Sequence, residues 1–348
     1  MGVKILLLFL FFSAAYAQNK ADAEKLVDEG IELHDKGDYN GAIGKYSKAL
    51  EIDKDNLLAL SETALSLNTF GKYDEAIKVS KQAISAHPNE DLSNVYVTYA
   101  NSLDYLKKTD EALKIYDEGI QKFPGYYQLY FNKGICYANS STPNEAIGYF
   151  QKALLVNPNH PGSLNAIGVM EMSSNRIPAI LAFSRFLVVE PQTSRSKKNL
   201  ASLQNLLMQG VKKADDGITI NINSNVLSDS KGKKNENDFS QTDLILSMAS
   251  GLEFDDKNIN KTQIEKFIEK FETICSSLDE TKKGNSGFYW ENFAPYFIEM
   301  KKKKMTESFA YIAFASSEDE DVSKWLKANQ TELEKFYTWS TGYNWKKK

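Results

Sequence analysis

Residues 134–158 read GICYANSSTPNEAIGYFQKALLVNP, and the arrangement inside this stretch recurs along the first half of the chain. Its second half carries Ala146, an aromatic residue four positions later at Phe150, and a proline eight positions beyond at Pro158. The same phrase returns as Ala112, Tyr116 and Pro124, and again as Ala179, Phe183 and Pro191. Two partial copies stand upstream: Ala76 with Pro88 but Ser80 in the aromatic slot, and Ala42 with Tyr46 but Lys54 where proline would fall. The alanines are 34, 36, 34 and 33 residues apart, and a fixed period in this range belongs to a stack of supersecondary units rather than to one globular core. Four of the eight prolines share one phase, which chance explains poorly.

Each copy reads as a first helix, a turn and a second helix. The first helix has its own signature: Gly30 with Leu33, Ala64 with Leu67, Ala100 with Leu103, Gly134 with Tyr137, and in the fifth copy Gly168 with Glu171. A small residue here, facing the alanine that opens the second helix, lets two backbones approach while the aromatic fills the gap beside them. Turn residues agree with this register, since Gly37 and Tyr39 end the first turn as Gly71 and Tyr73 end the second, and Pro143 and Pro178 stand near the starts of second helices, where a missing N–H costs little.

On these residues the stretch 23–192 resembles the tetratricopeptide repeat family. The fourth copy matches at Gly134, Tyr137, Ala146, Phe150, Ala153 and Pro158, whereas the third has Gly119 in place of its second alanine. The resemblance implies an all-α fold, a right-handed superhelical solenoid of five helix pairs whose first helices line a groove that holds a protein or peptide. The family's groove-facing positions fall on Asn94, Val97, Asn101 and Asp104, on Phe131, Ile135 and Asn139, and on Asn165, Val169 and Met172. Such a mixture suits an extended peptide, with amides for its backbone and an apolar floor for its side chains; the alternative is that several of these residues pack against neighbouring repeats. Family members that clamp a C-terminal carboxylate place a basic residue beside the groove asparagine, and Asn101 has none at the matching places.

After Pro191, leucines at 200, 203, 206 and 207 predict a helix over 193–209 that caps the stack. From 210 to 348 the period is gone, and a mainly helical domain with a minor strand element is expected. Ile218 to Ile222 alternates as a strand, 223–237 reads as a loop, and helices are expected through Met248, along the stripe from Ile264 to Leu278, over Phe288 to Met300 and over Glu307 to Ala315. One last helix begins behind Ser317 and buries Val322, Trp325, Leu326, Leu333 and Phe336.

Residues 1–17, MGVKILLLFLFFSAAYA, place Lys4 before a short apolar run and close on Ala15-Tyr16-Ala17, the pattern of a secretory signal peptide. The mature chain then has no transmembrane stretch, and a secreted or periplasmic location is expected, with envelope association. The net charge of −4 speaks against nucleic acid. Cys136 and Cys275 can pair in an oxidising compartment or remain as two buried thiols, the reading we favour.

The inventory for chemistry is thin. His34, His87 and His160 all lie in the repeats without zinc-ligand spacing. Asp256, Asn258 and Asn260 start like a calcium loop, but Lys261 and Phe267 occupy the positions of the required glycine and glutamate, so helix capping is the expectation. Neither a cofactor nor a catalytic or metal site is expected, and the chain reads as a non-enzymatic interaction scaffold. The alternative is a glycan-binding accessory protein of the cell envelope using Trp290, Trp325, Trp339 and Trp345, all in the last sixty residues; the bland account puts three of these in the core and Trp345 at the surface. Lys301 to Lys304 read as a solvated helix end.

Overall fold

Second helices throughout the repeats stop at one phase, which a proline marks in four of the five. The computed structural model describes residues 20–214, 217–221 and 236–345; the leader read in 1–17 and most of the loop read in 223–237 lie outside the described residues. The pairs of the first unit are α1 (20–35) with α2 (Tyr39–Ile52), α3 (Leu57–Thr69) with α4 (Tyr73–Ala86), α5 (Ser93–Tyr105) with α6 (Thr109–Lys122), and α7 (Tyr127–Asn139) with α8 (Pro143–Val156). Helices α4, α6 and α8 each end two residues before Pro88, Pro124 and Pro158, because proline has no N–H and its ring bars the preceding residue from helical backbone. Lacking proline, α2 still ends two residues before Lys54, where the Asp53 N–H closes on the Ala49 carbonyl.

Within a pair, closeness is set by the small residue. A Cβ placed on Gly30 would stand 2.3 Å from the Tyr46 ring, and one on Gly134 would stand 2.7 Å from the Phe150 ring. At Gly119 the crowding comes from Leu129 and Tyr96 instead, at 2.8 and 3.0 Å, so the third pair uses glycine where its neighbours use Ala83 and Ala153. First helices α3, α5 and α7 also contact one another in sequence. A polar bond crosses three successive junctions at equivalent positions: His34 Nδ1 with Ser66 Oγ at 2.6 Å, Asn68 Nδ2 to Ser102 Oγ at 2.8 Å, and Cys136 Sγ to Asp104 Oδ1 at 3.3 Å. Ser66, Ser102 and Cys136 are buried, and each bond satisfies a group that would otherwise be costly to enclose.

First helices end at a shared left-handed residue: Gly37 (φ 82°), Gly71 (φ 85°), Lys107 (φ 63°) and Ser141 (φ 58°). Glycine adopts this backbone freely, whereas a residue with a Cβ is strained there by about 1 kcal/mol.

The second compact unit begins at Asn157 and the first ends at Val156, so by compactness the division precedes the fifth helix pair instead of falling near residue 210. That pair, α9 (Pro161–Glu171) and α10 (Arg176–Val189), is followed by α11 (Ser194–Met208), the hairpin β1 (Val211–Ala214) and β2 (Gly217–Ile220) in the antiparallel register Val211↔Ile220, and then α12 (Ser240–Gly251), α13 (Gln263–Thr281), α14 (Phe288–Asn292), α15 (Ala294–Lys302), α16 (Thr306–Ala313), α17 (Glu320–Ala328) and α18 (Gln330–Thr341). Every residue of α10 from Ile177 to Val188 is buried, because α9, α11, α12 and α16 surround it. Helix α11 keeps a polar outer side at Arg195, Lys197 and Lys198. It lies between α10 and α12, and Ser250 Oγ donates to its Leu207 carbonyl at 2.6 Å.

Polar anchors of the fifth pair explain its departures from the repeat. Glu171, in the slot of Leu33, Leu67 and Leu103, is buried; Tyr289 donates its hydroxyl to Oε1 at 2.6 Å and Asn175 donates to Oε2. Arg185 is fully buried, with Tyr296 and Trp345 ring centroids 4.1 and 4.7 Å from its guanidinium and Nη2 donating to Asn159 Oδ1 at 2.7 Å. Trp345 is accordingly half-buried and packed, not the surface residue expected. Phe267, Phe271, Phe297 and Phe309 form the aromatic centre around α13. The single helix expected after Ser317 is two, since Asn329 ends α17 and its side chain donates back to the Trp325 carbonyl at 2.9 Å. Helix α13 is capped by Thr262 in a reciprocal pair with Glu265, not by Asp256, Asn258 or Asn260. Phe288 to Met300 likewise divides, at Phe293, into α14 and α15.

Three outcomes follow from this packing. Gly134→Leu drives a side chain into Phe150 and should cost ~1 to 3 kcal/mol, while Ser141→Gly relieves left-handed strain of ~1 to 2 kcal/mol against a smaller backbone-entropy cost and should stabilise; urea unfolding followed by far-UV circular dichroism reads both signs, and equal midpoints would contradict the register. The third concerns acid. His160 caps α9 through Nδ1, which accepts the Ser163 N–H at 3.2 Å, and burial together with nearby Arg195 pushes its pKa down to about 4. An unfolded imidazole titrates near ~6.5, so its contribution is complete above that pH and is lost as pH falls toward 4. His160→Asn, a cap that does not titrate, should flatten the loss over this window in tryptophan fluorescence, which reports on the second unit alone.

Candidate functional site

The groove positions fall on the first helices, and several of them also meet the second helix of their own pair. On α5, Asn94 is exposed and its Oδ1 accepts the Tyr126 hydroxyl, while Asn101 is half-buried and accepts the Tyr116 hydroxyl. Val97 is half-buried against the core formed by Tyr96, Leu103 and Leu129. Asp104 accepts Thr109 Oγ1 at 3.2 Å and the Cys136 thiol at 3.3 Å, so its Oδ1 belongs to the junction ladder. On α7, Phe131 lies 5.7 Å from the Phe150 ring, Ile135 is half-buried, and Asn139 is exposed at the last turn.

In the second unit, Asn165 accepts from Asn199 Nδ2 at 2.8 Å, and Val169 on α9 and Met172 at its C-cap are 51% and 37% exposed. The structure thus brings Asn94, Val97 and Asn101 onto one helix and Phe131 and Ile135 onto its neighbour, with Asp104 turned to a structural bond. A common pattern runs through the asparagines. Asn94, Asn101 and Asn165 each have the carbonyl oxygen held by an internal donor, which leaves the two amide N–H donors of each for another acceptor.

Sequence reading missed Leu58 and Leu65 of α3, 49% and 39% exposed. They stand one repeat before Asn94 and Asn101, and that phase was the available signal. Also on α3 is Glu62, whose carboxyl burial pushes above the usual range. Lys133 is turned away: its ammonium meets Asp117 and lies 4.6 Å from the Tyr149 ring centroid. The face across α3, α5 and α7 is therefore an alternation of aliphatic side chains and amides, without a lysine or arginine among the described residues to pair a carboxylate at Asn101.

Other candidates are committed elsewhere. Cys136 and Cys275 are free and buried, and burial raises both thiols, Cys136 to about 12. Among the described residues no group of three His, Cys, Asp or Glu could hold a metal ion. All four tryptophans have ring partners within the second unit: Trp290 with Phe239, Trp325 with Tyr311 at 4.0 Å, and Trp339 and Trp345 with Tyr296. Lys301 and Lys302 fill the last turn of α15, donating to Ser276 and Asp279, and Lys304 ends it with φ 58°. No described helix is long and apolar enough to cross a membrane.

A tetratricopeptide repeat family model matches residues 27–91 and 99–163. Small glutamine-rich tetratricopeptide repeat-containing protein 2 of Mycosarcoma maydis is 29% identical over 107 residues, 31% of this chain and 30% of its own length. The probable UDP-N-acetylglucosamine–peptide N-acetylglucosaminyltransferase SPINDLY of Hordeum vulgare is 24% identical over 152 residues, 42% of this chain and 16% of its own. The similarity spans less than a third of either relative. A solved thermophilic TPR protein of Thermus thermophilus aligns over 52% of this chain and 98% of its own, with 18% identity and a TM-score of 0.46. Residues 27–91 and 99–163 are thus tetratricopeptide repeats, and that part of the chain is a protein–protein interaction scaffold.

Proposed function

We propose that the chain is an exported, non-enzymatic scaffold, secreted or periplasmic, that holds an extended peptide segment of a partner protein against the first helices of its repeats. The observation that carries the reading is the fixed asparagine amide. With Oδ1 of Asn94 and Asn101 held by tyrosine hydroxyls, the N–H donors are oriented before a ligand arrives, and peptide carbonyls are the acceptors an extended segment offers. Leu58, Leu65, Val97, Phe131 and Ile135 supply aliphatic and aromatic surface for its side chains. Envelope location rests on the leader read in residues 1–17, and fractionation of cells expressing the chain with and without that leader tests it separately.

Binding is tested with immobilised mature protein and fluorescent pools of short unstructured peptides. Leu65→Asp and Phe131→Ala should each weaken retention by about tenfold, corresponding to ~1.4 kcal/mol, with little change in unfolding midpoint for Leu65→Asp because its side chain is exposed. Retention of no pool, or retention by both variants equal to that of the unaltered protein, would overturn the proposal.

A further inference from the structure

Arg176 opens α10, and its guanidinium is almost wholly enclosed. Nε donates to the Leu206 carbonyl at 2.7 Å, Nη2 to the Leu207 carbonyl at 3.2 Å, and Nη1 to both Asp243 Oδ1 at 3.0 Å and Ser247 Oγ at 2.8 Å. Four of its five N–H groups are thereby spent on tying the end of α11 to α12. Desolvation lowers its pKa and the Asp243 carboxylate opposes that effect, so the charges of this floor are matched at home. Above it lies a cleft of about 250 Å³, walled by Ser173, Ser174, Gln209, Asn221 and Asp243.

The wall is held by a backbone feature only glycine permits. Gly210 has φ 80°, its carbonyl accepts the Asn221 N–H at 2.8 Å, and a Cβ on it would stand 2.6 Å from the Asn221 carbonyl oxygen. This closure holds Gln209 and Asn221 at the cleft, which the Ser173 and Ser174 turn between α9 and α10 also lines. The cleft thus presents two hydroxyls and two carboxamides over a neutralised ion pair, with Asp243 Oδ2 as a further acceptor. A charged group reaching its floor would meet no unmatched opposite charge, since Arg176 and Asp243 already neutralise each other. A neutral group that both donates and accepts can exchange each water bond for a protein bond.

Met172 also lines the cleft, and with Val169 it forms the exposed aliphatic edge of α9 that leads there. We infer that this cleft receives the carboxamide of an asparagine or glutamine side chain from a peptide lying along α9. The inference rests on the peptide-scaffold reading above and adds a specificity pocket to it. Donor and acceptor of the carboxamide match the mixed wall, whereas an aliphatic side chain would leave the hydroxyls and amides unpaired.

The experiment uses the mature full-length protein and random short-peptide pools from which one chemical type is withheld at a time: asparagine with glutamine, aspartate with glutamate, or lysine with arginine. Withholding the amides should lower retention by about fivefold, since a site built for hydrogen bonds rejects ligands lacking them, and withholding either charged type should not. Ser174→Trp fills the cleft from an exposed turn, and that variant should lose the dependence on amides while keeping its unfolding midpoint. Retention of all pools alike, dependence on a charged type instead, or an unchanged amide dependence in Ser174→Trp overturns the pocket and leaves the scaffold reading standing. Retention of no pool by the unaltered protein overturns both.

Discussion

In three of the five pairs the helix backbones meet where one contributes no side chain at the crossing and the other fills the remaining gap with a ring, and the other two pairs have the small side chains of Ala64 and Ala100 there. Gly30 against Tyr46, Gly134 against Phe150 and Gly168 against Phe183 meet this condition, and a methyl group at any of the three glycines would enter the ring it faces. Everything regular in the repeats follows from it. The second helix must start at a fixed offset to present its aromatic, the left-handed residue at 37, 71, 107 and 141 sets the reversal, and proline stops the second helix before it overruns the next pair. Where the ring is missing at Ser80, its hydroxyl turns back to the Ala76 carbonyl at 2.8 Å, and the polar bond between Asn68 and Ser102 remains to hold the junction.

The fifth pair keeps the glycine and the ring but changes the residues around them. Glu171, Arg176 and Arg185 would be poor choices on a surface packed against another repeat, because each brings a polar group that must be satisfied on burial. In the second unit their partners come from a long way along the chain: Tyr289 reaches Glu171, Asp243 and Ser247 reach Arg176, and Ser340 with the ring of Tyr296 reaches Arg185, whose buried Nε has no hydrogen-bond partner. Arg185 has no carboxylate among these partners. Two aromatic faces and neutral acceptors carry the enclosed cation, an arrangement that ties α10 to the last helix through contacts of fixed direction.

Legibility in the sequence followed the range of the interaction. The repeat positions could be read because each signature residue acts on a neighbour about sixteen residues away in the same pair, so the pattern recurs. Glu171 could be seen as a departure, but its partner lies 118 residues on, and nothing local announces it. The division at Asn329 escaped because the apolar spacing of Val322, Trp325, Leu333 and Phe336 continues through it, while the break itself depends on one side chain folding back onto a carbonyl. At the binding face the same limit applies. Phase located Asn94 and Asn101, whereas the bonds that pin their oxygens needed Tyr126 and Tyr116 in place, and the fate of Asp104 depended on a thiol 32 residues later.

Pinned amides change what such a face can do. A free asparagine on a helix surface loses rotamer entropy when it grips a ligand, and presents either end of its amide with little preference. Holding the oxygen from inside removes both costs, since the donor end is selected and the torsion is already set. Because Leu65, Asn101 and Ile135 occupy one phase on α3, α5 and α7, and these helices follow one another in contact, a segment crossing them meets an aliphatic side chain, an oriented amide and another aliphatic side chain in turn. The aliphatic positions favour burial of any suitable side chain and discriminate weakly. On the peptide reading proposed above, the amide between them would demand an acceptor at one place, and Asn101 would set the register of a bound segment.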